Sequence, residues 1–493
     1  MALGSLSMGN TITLVGGLLA LYITLQILYN LFLHPLRSYP GPLFMRATRL
    51  GYVLRHTRGT LPFDMLDLHK RYGPVVRIAP DELAFSSAAA WKDIMGHRVN
   101  APEFEKNLKF YKPLDDMETD IVNAPRDEHG QLRRTMAHGF SDRSMREQQP
   151  IIKGYIDLLL RRLRENSKGG KAVDIMAWYN FTTFDVIGDL AFGESFGCLE
   201  NSAYHPWVKA IFALARAGTI FQSAAQWPWL LEGLMKLVPK SLFKEREHHM
   251  ELTMEKLRRR MEGDKERPDL VEGLLKKREE WGLSLEKIQA NSSILIIGGS
   301  ETTATLLSGV TYLLCKNREK LDKLTREIRG AFKSEDEIGF QSVSALPYLL
   351  ACLDEGLRMY PPVPAGLPRI TPKGGAVVSG NFVPEGTVVA MHHWALYHDD
   401  DHFKDPFSFH PERWLGDPAF ADDNKDIFQP FHVGARNCLG RNLAYVEMRL
   451  IITRVLWNFD IRIAEESLDW MSKQKVFNLW DKGPLKVYLT PVR

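Results

Sequence analysis

The residues best suited to chemistry fall late in the chain, in the run Phe431-His432-Val433-Gly434-Ala435-Arg436-Asn437-Cys438-Leu439-Gly440. This run passes directly into a helical pattern, Asn442-Leu443-Ala444-Tyr445-Val446-Glu447. A cysteine just ahead of a helix start meets the positive end of the helix dipole and unpaired backbone N–H groups, and both favour a thiolate over a thiol. Gly434 and Gly440 let the backbone turn tightly and approach a flat group closely. Phe431 can shield the sulfur from water, and Arg436 supplies a fixed cation for an anionic group. A buried structural cysteine would account for the sulfur but for neither the glycines nor the arginine. Ligation of a haem iron by Cys438 accounts for the whole set.

A second unusual run, Gly298-Gly299-Ser300-Glu301-Thr302-Thr303, lies midway along a helix-periodic stretch from Glu286 to Cys315. A glycine in a helix interior gives up about 1 kcal/mol relative to alanine, so the pair predicts either a close approach to the backbone or a local opening of the helix. On another helical stretch Glu355 and Arg358 stand at i, i+3. Such a pair is an ordinary helix-surface contact, and it recurs at Glu255 and Arg258. Pro411-Glu412-Arg413-Trp414 follows before the cysteine run.

Taken in order, these runs resemble the motifs of the cytochrome P-450 superfamily, the haem-thiolate monooxygenases. The cysteine run matches F-x-x-G-x-R-x-C-x-G at every fixed position, Glu355 to Arg358 matches E-x-x-R, Pro411 to Trp414 matches P-E-R-[FW], and Gly298 to Thr303 matches [AG]-G-x-[DE]-T-[ST]. The resemblance implies haem b with Cys438 as axial thiolate, and a structural network of Glu355, Arg358 and Arg413 in which the acid compensates two buried cations. It implies that Thr302 orders water in the dioxygen groove and that Glu301 relays protons from solvent, with capping or packing of Thr302 and a solvated Glu301 as the bland alternative. Propionate partners would be Arg436, Arg369 and Arg133, with His129 standing where many relatives have Trp; a surface salt bridge is the other reading of Arg133. By the same analogy substrate meets the segment Phe104 to Val122, Ile294, Leu295, Gly298, the stretch Val363 to Leu367, and Phe477 in a hairpin reaching Trp480.

The elements that must hold these groups are mostly helical. Apolar spacing of three and four predicts helices over Ile151–Arg164, Leu252–Glu262, Glu286–Cys315, Leu321–Phe332 and Tyr348–Met359. Short alternating runs at Val75–Ile78, Leu83–Phe85, Ala376–Val378 and Thr387–Ala390 predict a small β-sheet region. The expected fold is therefore mainly α with a small β-sheet, the cytochrome P-450 fold. No linker or repeat divides it, so residues 34–493 are expected to form one haem domain although the length alone would allow roughly three at ~150 residues each.

Residues 1–33 hold no charged side chain, and Thr11 to Leu33 exceeds the ~20 residues that cross a bilayer. The run is too long for the core of a signal peptide and reads as a membrane anchor, a buried core helix being the alternative. Arg37, Arg46, Arg49 and Arg55 follow it, which places the rest in the cytosol, with the endoplasmic reticulum membrane as the expected location. Pro35 and Tyr39-Pro40-Gly41-Pro42 read as a stiff hinge. The apolar stretch from Ile211 to Leu231, with Trp227 and Trp229, suits an entrance dipping into the membrane interface.

A net charge of +3, from 63 basic and 60 acidic residues, sets nucleic-acid binding aside. Four scattered cysteines exclude a disulfide scaffold and a CxxC zinc site. After the cysteine run only Arg441 to Arg493 remains, too short for a flavin or nicotinamide module, so electrons from NADPH must arrive through a separate cytochrome P-450 reductase, with cytochrome b5 as a second donor. The reductase is expected to dock on a basic face of Arg133, Arg134, Arg436 and Arg441. The opening Leu31 to Pro42 resembles fungal members of secondary-metabolite pathways, which implies a lipophilic terpenoid or polyketide substrate. Within the same superfamily a haem-thiolate isomerase, dehydratase or peroxygenase, using no dioxygen, is the alternative.

Overall fold

The computed structural model describes residues 8–98, 101–114, 117–205, 216–263 and 269–493. Helix α1 (Met8–Leu28) continues through a wider turn at Tyr29–Leu33. Together Gly9–Leu33 is long and apolar enough to cross a bilayer, and protein covers none of its most apolar window. The chain beyond it docks on strand β1 (Val75–Ala79). Arg77 donates to the carbonyls of Asn30 (2.9 Å) and Leu36 (3.3 Å), and its backbone N–H donates to Pro40 (2.7 Å). A Cβ at Gly41 would collide with the Arg77 carbonyl, so glycine is required for this docking. Arg49 is not one of the free charges beside the membrane helix: it is buried against Asp81 and Glu82, 2.7 Å from the latter.

Helix α2 (Leu50–Arg58) ends on Gly59 at φ +72°. Five strands form one sheet in the order β1-β2-β8-β5-β3, with β2 (Glu82–Phe85), β3 (Glu105–Lys106), β5 (Arg369–Ile370) and β8 (Val388–Ala390). Within it β2 and β8 run parallel and the other pairs antiparallel. Smaller sheets join β4 (Val173–Asp174), β12 (Lys486–Pro491) and β9 (Phe459–Ile463), then β6 (Ala376–Val378) with β7 (Asn381–Val383), then β10 (Lys475–Phe477) with β11 (Leu479–Asp481).

The helical body contains α3 (Arg126–Ala137), α4 (Asp142–Asn166), α5 (Ile175–Phe192), α6 (Pro228–Leu237), α7 (Lys240–Glu262), α8 (Leu285–Lys316), α9 (Arg318–Ala331), α10 (Pro347–Met359) and α11 (Arg441–Asn458). Helix α4 starts well before Ile151: Ser141 caps it by accepting from the Ser144 N–H at 3.2 Å, and Pro150 lies inside it. Helix α5 is buried almost all round and forms the wall against which α8 packs. A Cβ on Gly299 would lie 2.7 Å from Ile187 of α5, so that glycine permits close packing. Of the two consequences expected from the glycine pair, close approach is the one found; α8 stays helical without a break from Leu285 to Lys316.

Candidate active site

The cysteine loop precedes α11, with Gly440 as that helix's N-cap residue. The Cys438 N–H donates to the Phe431 carbonyl at 2.9 Å and the Asn437 N–H to Gly434 at 3.2 Å, closing a compact loop. Gly434, at φ +78°, is indispensable, because a Cβ there would collide with the Met95 carbonyl. Gly440 has an ordinary backbone at φ −83°, and a Cβ there would find its nearest neighbour at 3.8 Å, so the tight turn expected of both glycines belongs to Gly434. Phe431 lies 5.3 Å from the Tyr445 ring, held by the first turns of α11.

Cys438 is exposed, yet crowded by its own loop. Burial pushes its thiol up, while the Gly440 N–H, Arg133 and Arg441 pull it down, and burial prevails. A bound cation would reverse the balance.

Around the loop stands a surplus of positive charge. Arg436 is fixed by Glu103 (2.8 Å) and the Ala124 carbonyl (2.9 Å). Arg133 on α3 grips the Asn437 carbonyl (2.7 Å) and side chain, rather than making a surface salt bridge. Arg369 is buried; it reaches the Phe104 carbonyl at 3.4 Å, and its Nε is buried with no partner among the described residues. Directly across the β3–β5 ladder from Arg369 is Lys106. Burial and then Arg369 and Arg436 drive the Lys106 ammonium well below its ordinary value. Burial and then Arg436, Arg133 and Lys106 push buried His129 down to about 4. Like charges facing each other across strands destabilise a sheet unless an anion joins them. A group bearing carboxylates, as haem does, fits both that surplus and the orphaned Arg369 donor. Lys106 was not among the residues singled out from sequence, because only the strand register brings it to Arg369.

Helix α8 offers one open stripe. Ile294, Gly298 and Thr302, spaced at i, i+4 and i+8, are partly or fully exposed on a helix otherwise largely buried. A Cβ at Gly298 would meet nothing within 4 Å. The Thr302 hydroxyl donates to the Gly298 carbonyl at 2.6 Å, which leaves its oxygen to accept a hydrogen bond from water on the open side. Leu295 is buried beside this stripe. Glu301 is not solvated, as the bland alternative would have it: it is 1% exposed and ion-paired with Lys482.

Glu355, Arg358 and Arg413 meet with no solvent exposure. Arg358 donates to both Glu355 oxygens (2.8 and 3.0 Å), Arg413 to Oε2 (3.2 Å), and the Trp414 indole N–H to the same oxygen (2.9 Å). Burial pushes the Glu355 carboxyl up, but the two guanidiniums outweigh it and hold it below its ordinary value. Glu355 does not balance two cations alone. Asp423, which carries no motif, pairs with Arg413.

Val363 and Leu367 are half-buried, as a lining would be. Phe477 is buried; it packs where a Gly59 Cβ would come within 3.1 Å, and the Arg216 guanidinium lies 4.9 Å from its ring centroid. Residues 211–215 and 115–116 of the expected entrance and pocket lie outside the described residues. Of the remainder, α6 leaves Trp229 and Leu237 exposed at 71% and 80%, as an interfacial helix does. Also unforeseen is Glu447 on α11, whose carboxyl burial pushes up to about 8 against the weak opposing effect of Thr303, so it holds a proton at neutral pH.

The family model for cytochrome P-450 matches residues 40–487. The chain is 47% identical over 471 residues to the cytochrome P-450 monooxygenase prhB of Penicillium brasilianum, covering 95% of this chain and 96% of that protein. It is 44% identical over 485 residues to trichothecene C-15 hydroxylase of Fusarium sporotrichioides, covering 97% and 98%. Averantin hydroxylase of Dothistroma septosporum is 44% identical over 480 residues, covering 96% and 90%.

Proposed function

The chain belongs to the cytochrome P-450 family of monooxygenases, and from that premise we propose that it is a membrane-anchored hydroxylase of a lipophilic small molecule made in a fungal secondary-metabolite pathway. Bound haem supplies dioxygen activation with two electrons, so that one oxygen atom enters a C–H bond and the other leaves as water. Cys438 is the residue that would hold the iron, and Arg369, Arg436, Arg133, Lys106 and His129 would receive the propionates. Phe431 and the turn at Gly434 keep the sulfur in place. Ile294, Gly298, Val363 and Leu367 present an apolar wall to substrate. The observation carrying the reading is the open stripe on α8, where Thr302 can order a water beside Ile294 and Gly298. A terpenoid or polyketide suits that wall, and two of the relatives are hydroxylases by name.

Residues 34–493 then act as one catalytic domain behind an anchor ending near Leu33. Arg37 and Arg46 beyond the anchor favour a cytosolic domain on the endoplasmic reticulum. Changing Thr302 to Ala removes the water-ordering hydroxyl while leaving the cysteine loop untouched. We expect NADPH consumption to persist and product per NADPH to fall about tenfold or more, in line with loss of a positioned proton donor. Unchanged coupling would favour an isomerase, dehydratase or peroxygenase.

Electrons come from a separate NADPH-dependent reductase, with cytochrome b5 as auxiliary. Arg436 is buried against Glu103 and Arg133 is engaged with Asn437, so docking falls to the exposed Arg134 and Arg441. Arg134→Glu should slow reduction several-fold without altering the haem spectrum. Raising salt above ~0.1 M, where charges act over about 10 Å, should slow the unaltered protein likewise. A stopped-flow reduction rate indifferent to both would remove this docking face.

A further inference from the structure

A cavity of about 630 Å³ opens between α4, the short helical turn Phe340–Val343, α10 and the start of α11. Its volume is that of a small-molecule site. None of the residues around it belongs to the cysteine loop, the open stripe on α8 or the Arg369–Lys106 ladder. Leu350 and Val446 give it apolar surface. Arg146 from α4, with Arg441 and Arg449 from α11, give it positive charge, and no carboxylate among the described residues forms an ion pair with any of the three.

Two acids share the cavity without cancelling that charge. Asp354 accepts from the Tyr445 hydroxyl at 2.9 Å, and burial pushes its carboxyl above the ordinary value although Tyr445, Arg449 and Arg441 oppose it. Asp142, exposed in the first turn of α4, takes the Asn442 amide at 3.4 Å. Half-buried Arg449 covers the Tyr445 ring at 4.8 Å, and its Nε is buried with no partner among the described residues. Burial accordingly pushes its guanidinium below the ordinary value, against the pull of Tyr445 and Asp354. An unmet buried donor on a cation costs free energy until an anion takes it. Helices α4 and α11 both begin at the rim, so the positive ends of their dipoles add to the same field.

We propose that this cavity binds an organic diphosphate, with its phosphates among the Arg146, Arg441 and Arg449 guanidiniums and its organic part against Leu350 and Val446. Guanidinium forks match phosphate oxygens in pairs, and a diphosphate has enough oxygens to engage all three, where a single carboxylate does not. Nucleoside and prenyl diphosphates share this chemistry, and competition between them separates the two sources.

The test uses the full-length holoenzyme in detergent micelles at ~0.15 M salt, where exposed charges are largely screened. Calorimetry should show saturable binding of pyrophosphate, one per chain. Arg449→Gln and Arg146→Gln should each weaken it at least ~tenfold. Arg449→Lys, which keeps the charge and loses the fork, should weaken it as well. Arg143→Gln, at an exposed neighbour on α4 paired with Glu147, should leave it unchanged. ADP and geranyl diphosphate are then run as competitors, and the one that displaces pyrophosphate at the lower concentration identifies the source. The proposal is overturned by an absence of saturable binding, by an equal loss in Arg143→Gln, by an affinity that Arg449→Gln and Arg146→Gln leave unmoved, or by displacement with neither organic diphosphate. Should Arg449→Gln fail to fold, Arg449→Lys and Arg146→Gln, the latter at an exposed position, decide the outcome by the same criteria.

Discussion

The Cys438→Ser variant will fold and yet lose the long-wavelength Soret band of the reduced carbon monoxide complex. That band is the signature of thiolate ligation, and an alcohol oxygen does not replace the sulfur donor. Folding should survive because what holds the loop is backbone: the Cys438 N–H to Phe431, the Asn437 N–H to Gly434, and the Arg133 grip on Asn437. None of these uses the sulfur. Monooxygenase turnover should fall below detection, while the thermal midpoint of the haem-free protein stays within a few degrees of the parent. A variant that kept the band would show that another residue holds the iron.

The second large effect is on stability. Glu355→Ala strips the acid from between Arg358 and Arg413 at a point with no solvent to take over its role. Removing one member of a buried ion pair costs about 3–5 kcal/mol, a large share of the ~5–15 kcal/mol that holds a domain together. Arg358 retains the carbonyls of Tyr397 and Pro406, both at 2.7 Å, and Arg413 retains Asp423, so the expected loss lies in that range and no higher. Denaturant titration followed by tryptophan fluorescence measures it, Trp414 being itself a donor to Glu355. Asp423→Ala should approach the same loss. A change below about 1 kcal/mol for Glu355→Ala would mean that the network is surface-like in energy despite its burial.

Helices with one wet and one dry face could be read from sequence: α9 and α10 lie within a few residues of their expected bounds. Helix α5 could not, since burial on nearly every side leaves no polar stripe to set a period. The first half of α4 was hidden by Pro150, a residue that ordinarily ends a helix. In the site, Cys438, Gly434, Arg436, Glu355, Arg358 and Thr302 belong to short runs whose spacing is itself informative. Lys106, Asp423 and Lys482 belong to none, and each acquires its part only through a partner far along the chain: Arg369 by strand register, Arg413 by loop closure, Glu301 by the return of the final hairpin. Glu301 was legible as the acid of its motif, but its burial against Lys482 was not, because side-chain direction is decided by what packs behind.

The grip of Arg77 on carbonyls either side of the His34-Pro35 break has a mechanical meaning for the molecule in a bilayer. A tether joined by a free hinge would let the catalytic body tumble over the surface, sampling every height and tilt. Under the proposed anchoring, the apolar helix is a mast stepped into the body at β1, so its inclination and the attitude of the protein are one variable. The exposed Trp229 and Leu237 are then carried at a set depth, and lipid composition or bilayer thickness, by tilting the mast, would raise or lower the proposed entrance beside them.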